Sequence, residues 1–369
     1  MQITNTQLIT PPRQSTTPST EELQSKTTKR ERNSNLELFR IITMIAIVAH
    51  HYVVNSGLMK VMASDPTSIK SIFLLIFGAW GKTGINCFVL ITGYFMVGRE
   101  ISKKKFFRLL FEVMFYRIVI YLIFVLSGYQ DITLKGVYYA LNPITSVGKD
   151  FVGCFLMFYL FIPFLNKLIE HLNQKMHLRL IALCVAVFTL LPSTVVISIE
   201  FNYVTWFCIL YVISSYIRLY GIEWKNQRFH WGWLSVASIL ISIISVVSID
   251  FVASYINYPI GYSFIEVADS NKLLALITSI CLFMYFKDIK IRNSKIINTI
   301  AASSFGVLMI HANSNTMRQW IWRDTLHNAD MYSSDYIYLH AIVSVLVIYI
   351  ICTAIDILFK RFIERPLNI

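Results

Sequence analysis

The stretch LELFRIITMIAIVAHHYVVNSG, residues 36–57, has the length and apolar content of a membrane-spanning helix, yet it contains Glu37, Arg40, His50 and His51. A span needs about 20 mostly apolar residues to cross the hydrocarbon core of a bilayer. Ionisable side chains are costly inside that core and normally face a water-filled or protein-lined cavity. We therefore expect this helix to turn its polar residues towards other helices rather than towards lipid.

The spacing of these residues places two of them on one face of the helix. A helix turns by about 100° per residue, so the eleven steps from Arg40 to His51 return to within about 20° of the starting direction, about 16 Å further along the axis. Glu37 lies on the same side, whereas His50 points away. Taken alone, Arg40 also fits an interfacial position and His51 a bond to a neighbouring helix. Their alignment favours a functional stripe along a cavity.

The composition of the whole chain is typical of a polytopic membrane protein. Of its 369 residues, 56% are hydrophobic and only 15% are charged, which exceeds what one soluble core would bury. The net charge of +12 lies mainly in short loops between apolar segments, where membrane topology explains it better than nucleic-acid binding. The six cysteines all lie in apolar segments and are expected to be buried thiols.

The hydropathy pattern predicts an all-α protein with about ten transmembrane helices. With a cytoplasmic N-terminus, 23 of the 33 lysines and arginines fall in cytoplasmic segments, 6 in outer loops and 4 within spans. Positive residues are enriched in cytoplasmic loops, so this asymmetry predicts that both termini are cytoplasmic. The predicted spans are residues 36–54, 72–97, 106–127, 151–170, 179–197, 203–220, 232–254, 272–286, 299–322 and 336–359.

The chain is predicted to contain one folded region. Residues 1–35 are rich in Thr, Ser, Gln and Pro and end in several basic residues, so we expect a disordered cytoplasmic tail. Residues 36–369 are expected to form a single transmembrane domain.

Five motifs, taken in order, resemble those of one known family. The first is Arg40, ten residues and His51, with Glu37 three residues before the arginine. The others are INCFVLITGYFMVG (85–98), KKKFFRLL (103–110), FYLFIPFLNKLIE (158–170) and FGVLMIHANSNTMRQWIW (305–322). From about residue 34 to the C-terminus, the chain resembles the acyltransferase 3 family of integral-membrane enzymes that acylate surface carbohydrates. It departs from the family pattern in the basic loop, where relatives show a pair of arginines, and at Phe151, where relatives often have tryptophan.

The resemblance implies O-acetylation of a polysaccharide or another envelope glycan. Acyl-CoA from the cytosol, expected to be acetyl-CoA, would be the co-substrate. The acceptor would be a hydroxyl of an envelope or exported carbohydrate or of a glycolipid. The protein would lie in the cell (inner or cytoplasmic) membrane, with no bound cofactor or metal. His51 is the first catalytic candidate, as a general base or as a covalent relay, with Arg40 and Glu37 beside it.

The resemblance also suggests binding residues for the two substrates. Arg40, Lys104, Lys105 and Arg108 would bind the phosphates of acyl-CoA, although the lysine run fits a positive-inside anchor equally well. Residues on other spans would bind the acceptor: Asn86, His311, Asn315 and Arg318. On a continuous helix the last three would share one face, but a break in that helix would also explain them.

A transporter remains the alternative to an enzyme. Ten spans with polar groups inside the membrane also suit a carrier or flippase for a lipid-linked sugar or a small solute. Such a protein would be expected to contain inverted repeats with paired broken helices, and no internal repeat is evident in the sequence.

Overall fold

The computed structural model describes residues 33–147, 150–194, 201–222 and 230–364. Within these ranges the regular structure is helical, which confirms the predicted all-α polytopic class. Residues 1–32 of the predicted tail lie outside the described residues, whereas Ser34 and Asn35 already belong to the first helix. The α-helices are α1 (Ser34–Val54), α2 (Leu58–Met62), α3 (Ile69–Gly78), α4 (Gly81–Met96), α5 (Lys103–Leu126), α6 (Leu134–Leu141), α7 (Phe151–Glu170), α8 (Gln174–Val185), α9 (Tyr203–Tyr220), α10 (Trp231–Tyr255), α11 (Tyr262–Glu266), α12 (Leu273–Asp288), α13 (Lys295–Ala302), α14 (Ser304–His311), α15 (Asn315–Gln319) and α16 (Ile337–Phe359).

Eight helical segments of the described chain are long and apolar enough to cross a membrane, and they coincide with eight of the ten predicted spans. The predicted span at 272–286 corresponds to α12, whose 16 residues extend about 24 Å. That is shorter than the hydrocarbon core, which is about 30 Å thick. The cytoplasmic position of both termini stays a prediction.

The ninth predicted segment, 299–322, is not one straight helix. The chain bends by 95° between Lys295–His311 and Asn315–Ser333. The hydroxyl of Ser314 accepts a hydrogen bond from the N–H of Met317 and so begins α15 as a new helix. The expectation of a continuous helical face there was therefore wrong, and the alternative of a helix break is correct.

Helix α1 lies at the centre of the bundle, in contact with α3, α4, α12, α13, α14 and α16. Leu36, Met44 and Val48 are fully buried among these neighbours. The side-chain amide of Asn35 donates hydrogen bonds to the carbonyl oxygens of Phe286 (2.7 Å) and Lys287 (3.1 Å), at the end of α12. These bonds satisfy carbonyls that a helix end leaves open and fix the depth of α1 in the bundle.

Two glycines let α4 approach α1 closely. A Cβ atom on Gly84 would lie 2.9 Å from the backbone oxygen of Thr43, and one on Gly81 would lie 2.3 Å from the Cβ of His50. Small residues at helix contacts are typical of membrane proteins, where packing rather than hydrophobicity holds helices together. On the same side of α1, Nδ1 of His50 bonds to the carbonyl oxygen of Gly78 at 2.6 Å. Together these contacts fix the rotation of α1 next to His51.

Helix α14 is held in place by a buried carboxylate on α16. Asp356 accepts hydrogen bonds from the hydroxyl of Tyr116 on α5 (2.9 Å) and from the ammonium of Lys360 (2.7 Å). A Cβ on Gly306 of α14 would lie 1.9 Å from Oδ1 of Asp356, so only glycine fits there. This packing sets the position of His311 at the other end of α14.

Candidate active site

His51 of α1 and His311 of α14 meet inside the bundle. Nδ1 of His51 lies 2.9 Å from Nε2 of His311, and Nδ1 of His311 lies 2.6 Å from the carbonyl oxygen of Val307, one turn earlier in α14. His311 is fully buried, whereas His51 is half-buried. The two polar clusters that the sequence shows 260 residues apart thus form one hydrogen-bonded pair.

The bond to Val307 determines the tautomers of the neutral pair. A carbonyl oxygen only accepts hydrogen bonds, so Nδ1 of His311 must carry a proton. Nε2 of the neutral His311 ring is then an acceptor, and Nδ1 of His51 must donate to it. The proton of His51 is therefore on Nδ1, and its Nε2 keeps a free lone pair. This is the arrangement in which one polar group orients an imidazole so that its other nitrogen can accept a proton.

His51 lines a cavity of about 190 Å³ near the C-terminal end of α1. Its apolar lining residues are Ile47, Val54, Ile85, Val113, Phe151, Val152, Leu308, Met309 and Ala312. Its polar lining residues, besides His51, are His50, Asn55, Lys82, Arg117, Asp150, Tyr203, Asn313 and Arg318. Within the described residues, no group of three or more His, Cys, Asp or Glu side chains is arranged to hold a metal ion.

The charged groups of this cavity come from four different helices or their caps. Lys82 of α4 donates a hydrogen bond to the hydroxyl of Tyr203 and lies 3.9 Å from the carboxylate of Asp269. Arg117, deep in α5, donates to the carbonyl oxygen of Tyr139 at 2.6 Å. Such side chains inside a membrane bundle normally face a cavity, and these do.

Arg318 reaches the cavity because of the bend after α14. Its guanidinium donates to Oδ1 of Asn315 (3.2 Å) and to the carbonyl oxygen of Ala312 (3.3 Å). Its Nε is buried and has no hydrogen-bond partner within the described residues. Asp150 lines the same cavity and caps α7, because its Oδ1 accepts from the N–H of Gly153 at 2.9 Å.

A second cavity of about 610 Å³ adjoins the first. The two share the lining residues Arg117, Asp150, Asn313 and Arg318. The second cavity also borders α6 and the start of α15, through residues such as Lys135 and Asn315. The larger cavity therefore lies directly beside the one that His51 lines.

A comparison with protein families identifies this architecture. Residues 33–359 match the model of the acyltransferase 3 family, which is described as an acyltransferase domain. The chain belongs to the acyltransferase 3 family. Membership of this family makes the protein a membrane acyltransferase. The chain matches no curated protein and no solved structure.

In this acyltransferase, Arg40 lies nearer the N-terminal end of α1 than His51 does, and it is not among the residues that line the cavity of His51. Its Nη1 lies 3.1 Å from Oε2 of Glu37, and its guanidinium lies 5.9 Å from the centre of the Phe88 ring. Phe88 in turn makes an edge-to-face contact, at 5.9 Å, with Phe151 of the cavity wall. Aromatic rings thus connect the Arg40–Glu37 pair to the cavity.

The residues of the basic loop lie at the start of α5. Lys104 and Lys105 are exposed. Arg108 has half of its side chain exposed and pairs with the buried carboxylate of Glu364, near the end of the described chain. The proposed role of these three residues in binding acyl-CoA stays a prediction.

Two of the acceptor-binding candidates differ in their surroundings. Asn86 is fully buried, and its amide donates to the carbonyl oxygen of Ser270 and accepts from the indole of Trp206. The structure thus does not bring Asn86 to either cavity. Asn315 is exposed and lines the second cavity. Their roles in binding an acceptor stay predictions.

Sequence reasoning missed two features of the site. Asp150 was not singled out, although an Asp immediately before a long apolar segment is a recognisable helix-capping signal. The hydrogen bond between His51 and His311 depends on the packing of α14 against α1, and no local sequence pattern predicts it. Arg117 is a cation within the predicted span 106–127, and the carbonyl oxygen of Tyr139 is one partner that the structure supplies.

Proposed function

We propose that this acyltransferase moves an acetyl group from cytosolic acetyl-CoA to a hydroxyl of an envelope or exported carbohydrate or glycolipid. The observation that carries the proposal is the hydrogen-bond chain from Val307 through His311 to His51, which leaves Nε2 of His51 available at a cavity. A sugar hydroxyl is a poor nucleophile until a base removes its proton, and neutral imidazole is the usual base near neutral pH.

The proposed reaction exchanges one acyl bond for another. The hydroxyl oxygen attacks the thioester carbonyl, an ester C–O bond forms and the C–S bond to CoA breaks. The hydroxyl proton passes to Nε2 of His51 and ends on the sulfur of CoA, which leaves as the free thiol. As His51 takes up the proton, its Nδ1–H bond to His311 becomes a charge-assisted one, which is stronger. Lys82 in the cavity supplies positive charge that would stabilise the oxyanion formed during attack.

The donor is proposed to bind on the cytoplasmic side. Arg40, with Lys104, Lys105 and Arg108, would bind the CoA phosphates by charge-assisted hydrogen bonds. Glu37 would orient Arg40 through the ion pair at 3.1 Å. With both termini cytoplasmic, as the loop charges predict, Arg40 is nearer the cytoplasm and His51 nearer the outside. The thioester end of CoA would therefore have to extend along α1 past Phe88 to reach His51.

The proposal is tested with membranes that contain the protein. They are incubated with acetyl-labelled acetyl-CoA and with glycolipid and polysaccharide extracts of the host, and label in the glycan fraction is measured. Membranes without the protein give the background. Label above that background supports acetyl transfer, and chemical analysis of the product identifies the ester and the sugar.

Two variants make the test specific. His51→Ala should lower the label transferred at matched membrane levels by at least about 100-fold, since a general base contributes about 10²–10⁴-fold. His171→Ala is the matched control, because this exposed histidine follows α7 at the opposite end of that helix from the cavity. Absence of label in the glycan fraction, with acetyl-CoA or with any other acyl-CoA as donor, would contradict the proposal. Measurements of solute uptake would then test the carrier alternative.

A further inference from the structure

The two adjoining cavities are lined by far more positive than negative side chains. Among the described lining residues, Lys82, Arg117, Lys135 and Arg318 are cationic, and Asp150 is the one carboxylate. Lys82 also has an acidic neighbour outside the lining, Asp269 at 3.9 Å, so the surplus of positive charge is smaller than the lining residues alone indicate. Membrane interiors penalise charges, so the surplus that remains indicates a function.

Of the two arginines, Arg318 is the one whose described contacts point to a ligand. The described hydrogen bonds of Arg318 are to the neutral oxygens of Ala312 and Asn315, and Asp150 is an acidic group whose charge acts on it. The Nε atom of Arg318 is buried without a hydrogen-bond partner in the described part of the chain. A buried donor without a partner is costly unless a ligand satisfies it.

The helix ends around the smaller cavity add to this positive potential. The first residues of α4, α7 and α9 line it, namely Gly81, Phe151 and Tyr203. The N-terminus of a helix carries about half a positive charge and favours anions. A carboxylate caps α7, whereas α9 is capped by the neutral amide of Asn202 and α4 has no side-chain cap.

We propose that the acceptor is an anionic glycan, with a carboxylate or a phosphate close to the hydroxyl that is acylated. The inference rests on the proposed function and assigns its substrate class. Arg117 and Arg318 bind the anionic group, because the planar guanidinium matches the geometry of both carboxylate and phosphate. His51 lies in the wall of the same cavity and takes the proton of the neighbouring hydroxyl.

The first experiment determines the charge of the product. Host glycans are labelled in membranes with acetyl-labelled acetyl-CoA, and the labelled material is separated by anion exchange before the ester is removed. Label should be retained by the column. Prior reduction of glycan carboxyls with carbodiimide and borohydride, or prior dephosphorylation with hydrofluoric acid, should abolish acceptor activity. Whichever treatment does so distinguishes a carboxylate from a phosphate.

The outcomes separate this inference from the proposed function. Label in a neutral glycan overturns the inference and leaves the acyltransferase proposal in place. Label in an anionic glycan that survives both treatments also overturns it, because the charge is then not needed for recognition. No label at all contradicts the proposed function itself, and with it the inference.

The second experiment shows which substrate the arginines bind. Arg117→Gln and Arg318→Gln should each raise KM for the anionic glycan by about tenfold or more, while KM for acetyl-CoA stays within twofold. Arg179→Gln, on the exposed face of α8, is the control and should change neither value. A rise in KM for acetyl-CoA alone would overturn the inference, because the two arginines would then serve the CoA phosphates. Arg318→Lys keeps the charge and should lose less than Arg318→Gln.

Discussion

Replacing His311 by leucine tests whether this residue orients the catalytic base. Leucine fills much of the same volume but removes the acceptor of the His51 Nδ1–H bond, which is 2.9 Å long. Nothing then selects the tautomer of His51 in which Nε2 is free. The protonated His51 also loses the group that stabilises it during the reaction. Both effects act on the chemical step rather than on substrate binding.

The expected magnitude follows from the strength of this bond. A hydrogen bond to a charged group contributes about 1.5–3 kcal/mol, and each 1.36 kcal/mol corresponds to a factor of about ten in rate. We therefore expect kcat to fall by about 10- to 150-fold in His311→Leu, with little change in either KM. Loss of His51 itself should cost about 10²–10⁴-fold.

The assay measures initial rates of label transfer at saturating acetyl-CoA and glycan for His51→Ala, His311→Leu and the double variant. His311→Gln is included because its side-chain carbonyl can accept the bond from Nδ1–H, so it should retain more activity than His311→Leu. Residues that act as a unit show non-additive losses, so the double variant should be no slower than His51→Ala.

Two results would refute this reasoning. One is a kcat for His311→Leu within twofold of the wild type. The other is a double variant whose loss equals the product of the two single losses, because independent contributions would then have been shown. Size-exclusion profiles of each variant in detergent check that the fold is intact.

Three further changes test the donor site and the packing. Arg40→Ala should raise KM for acetyl-CoA by about 10- to 150-fold if Arg40 binds a phosphate. Lys104→Ala removes an exposed charge and should raise this KM by less than about fivefold, and equal effects of the two variants in initial-rate measurements would argue against a special role for Arg40. Gly84→Ala should destabilise the protein by about 1–3 kcal/mol, because the new Cβ would lie 2.9 Å from a backbone oxygen of α1. Gly232→Ala is the control and should not destabilise the protein, because its new Cβ would make ordinary contacts at 3.4 Å. Unfolding of the two variants is compared by denaturant titration in detergent. Asp356→Asn should lower the free energy of unfolding by about 3 kcal/mol in the same titrations, because Lys360 and Tyr116 lose the carboxylate that they share. An unchanged midpoint of unfolding would show that this network does not hold α14 and α16 together.

Hydropathy predicts most of the helices because the membrane imposes a minimum apolar length on each span. Segments such as 203–220 meet this condition in the sequence and are helices in the structure. Their order and number predict the bundle, but not which helix faces which. The central position of α1 comes from packing, for example the close contact that Gly84 permits, and neighbouring helices are not visible in a hydropathy pattern.

The candidate site was predictable where it depends on one helix and not where it depends on two. Helical geometry alone aligns Arg40 with His51 on one face of α1, but of these two residues His51 is the one that lines the cavity. The bond from His51 to His311 joins distant segments, and the approach of Arg318 depends on the bend that begins at Ser314. A break of a few residues hardly changes the hydropathy of an apolar segment, so the hydropathy pattern does not reveal it. A continuous helix would place Arg318 on the same face as His311, whereas in the structure the two residues lie on separate helices joined by the bend.

The most direct test of the central claim uses purified protein in sealed vesicles. Acetyl-labelled acetyl-CoA is supplied on one side and the host glycan on the other, for wild type, His51→Ala and His171→Ala. We predict label in the glycan with wild type and His171→Ala, and at least about 100-fold less with His51→Ala. Equal labelling by wild type and His51→Ala would contradict the account, because the chemistry would then not depend on the histidine pair.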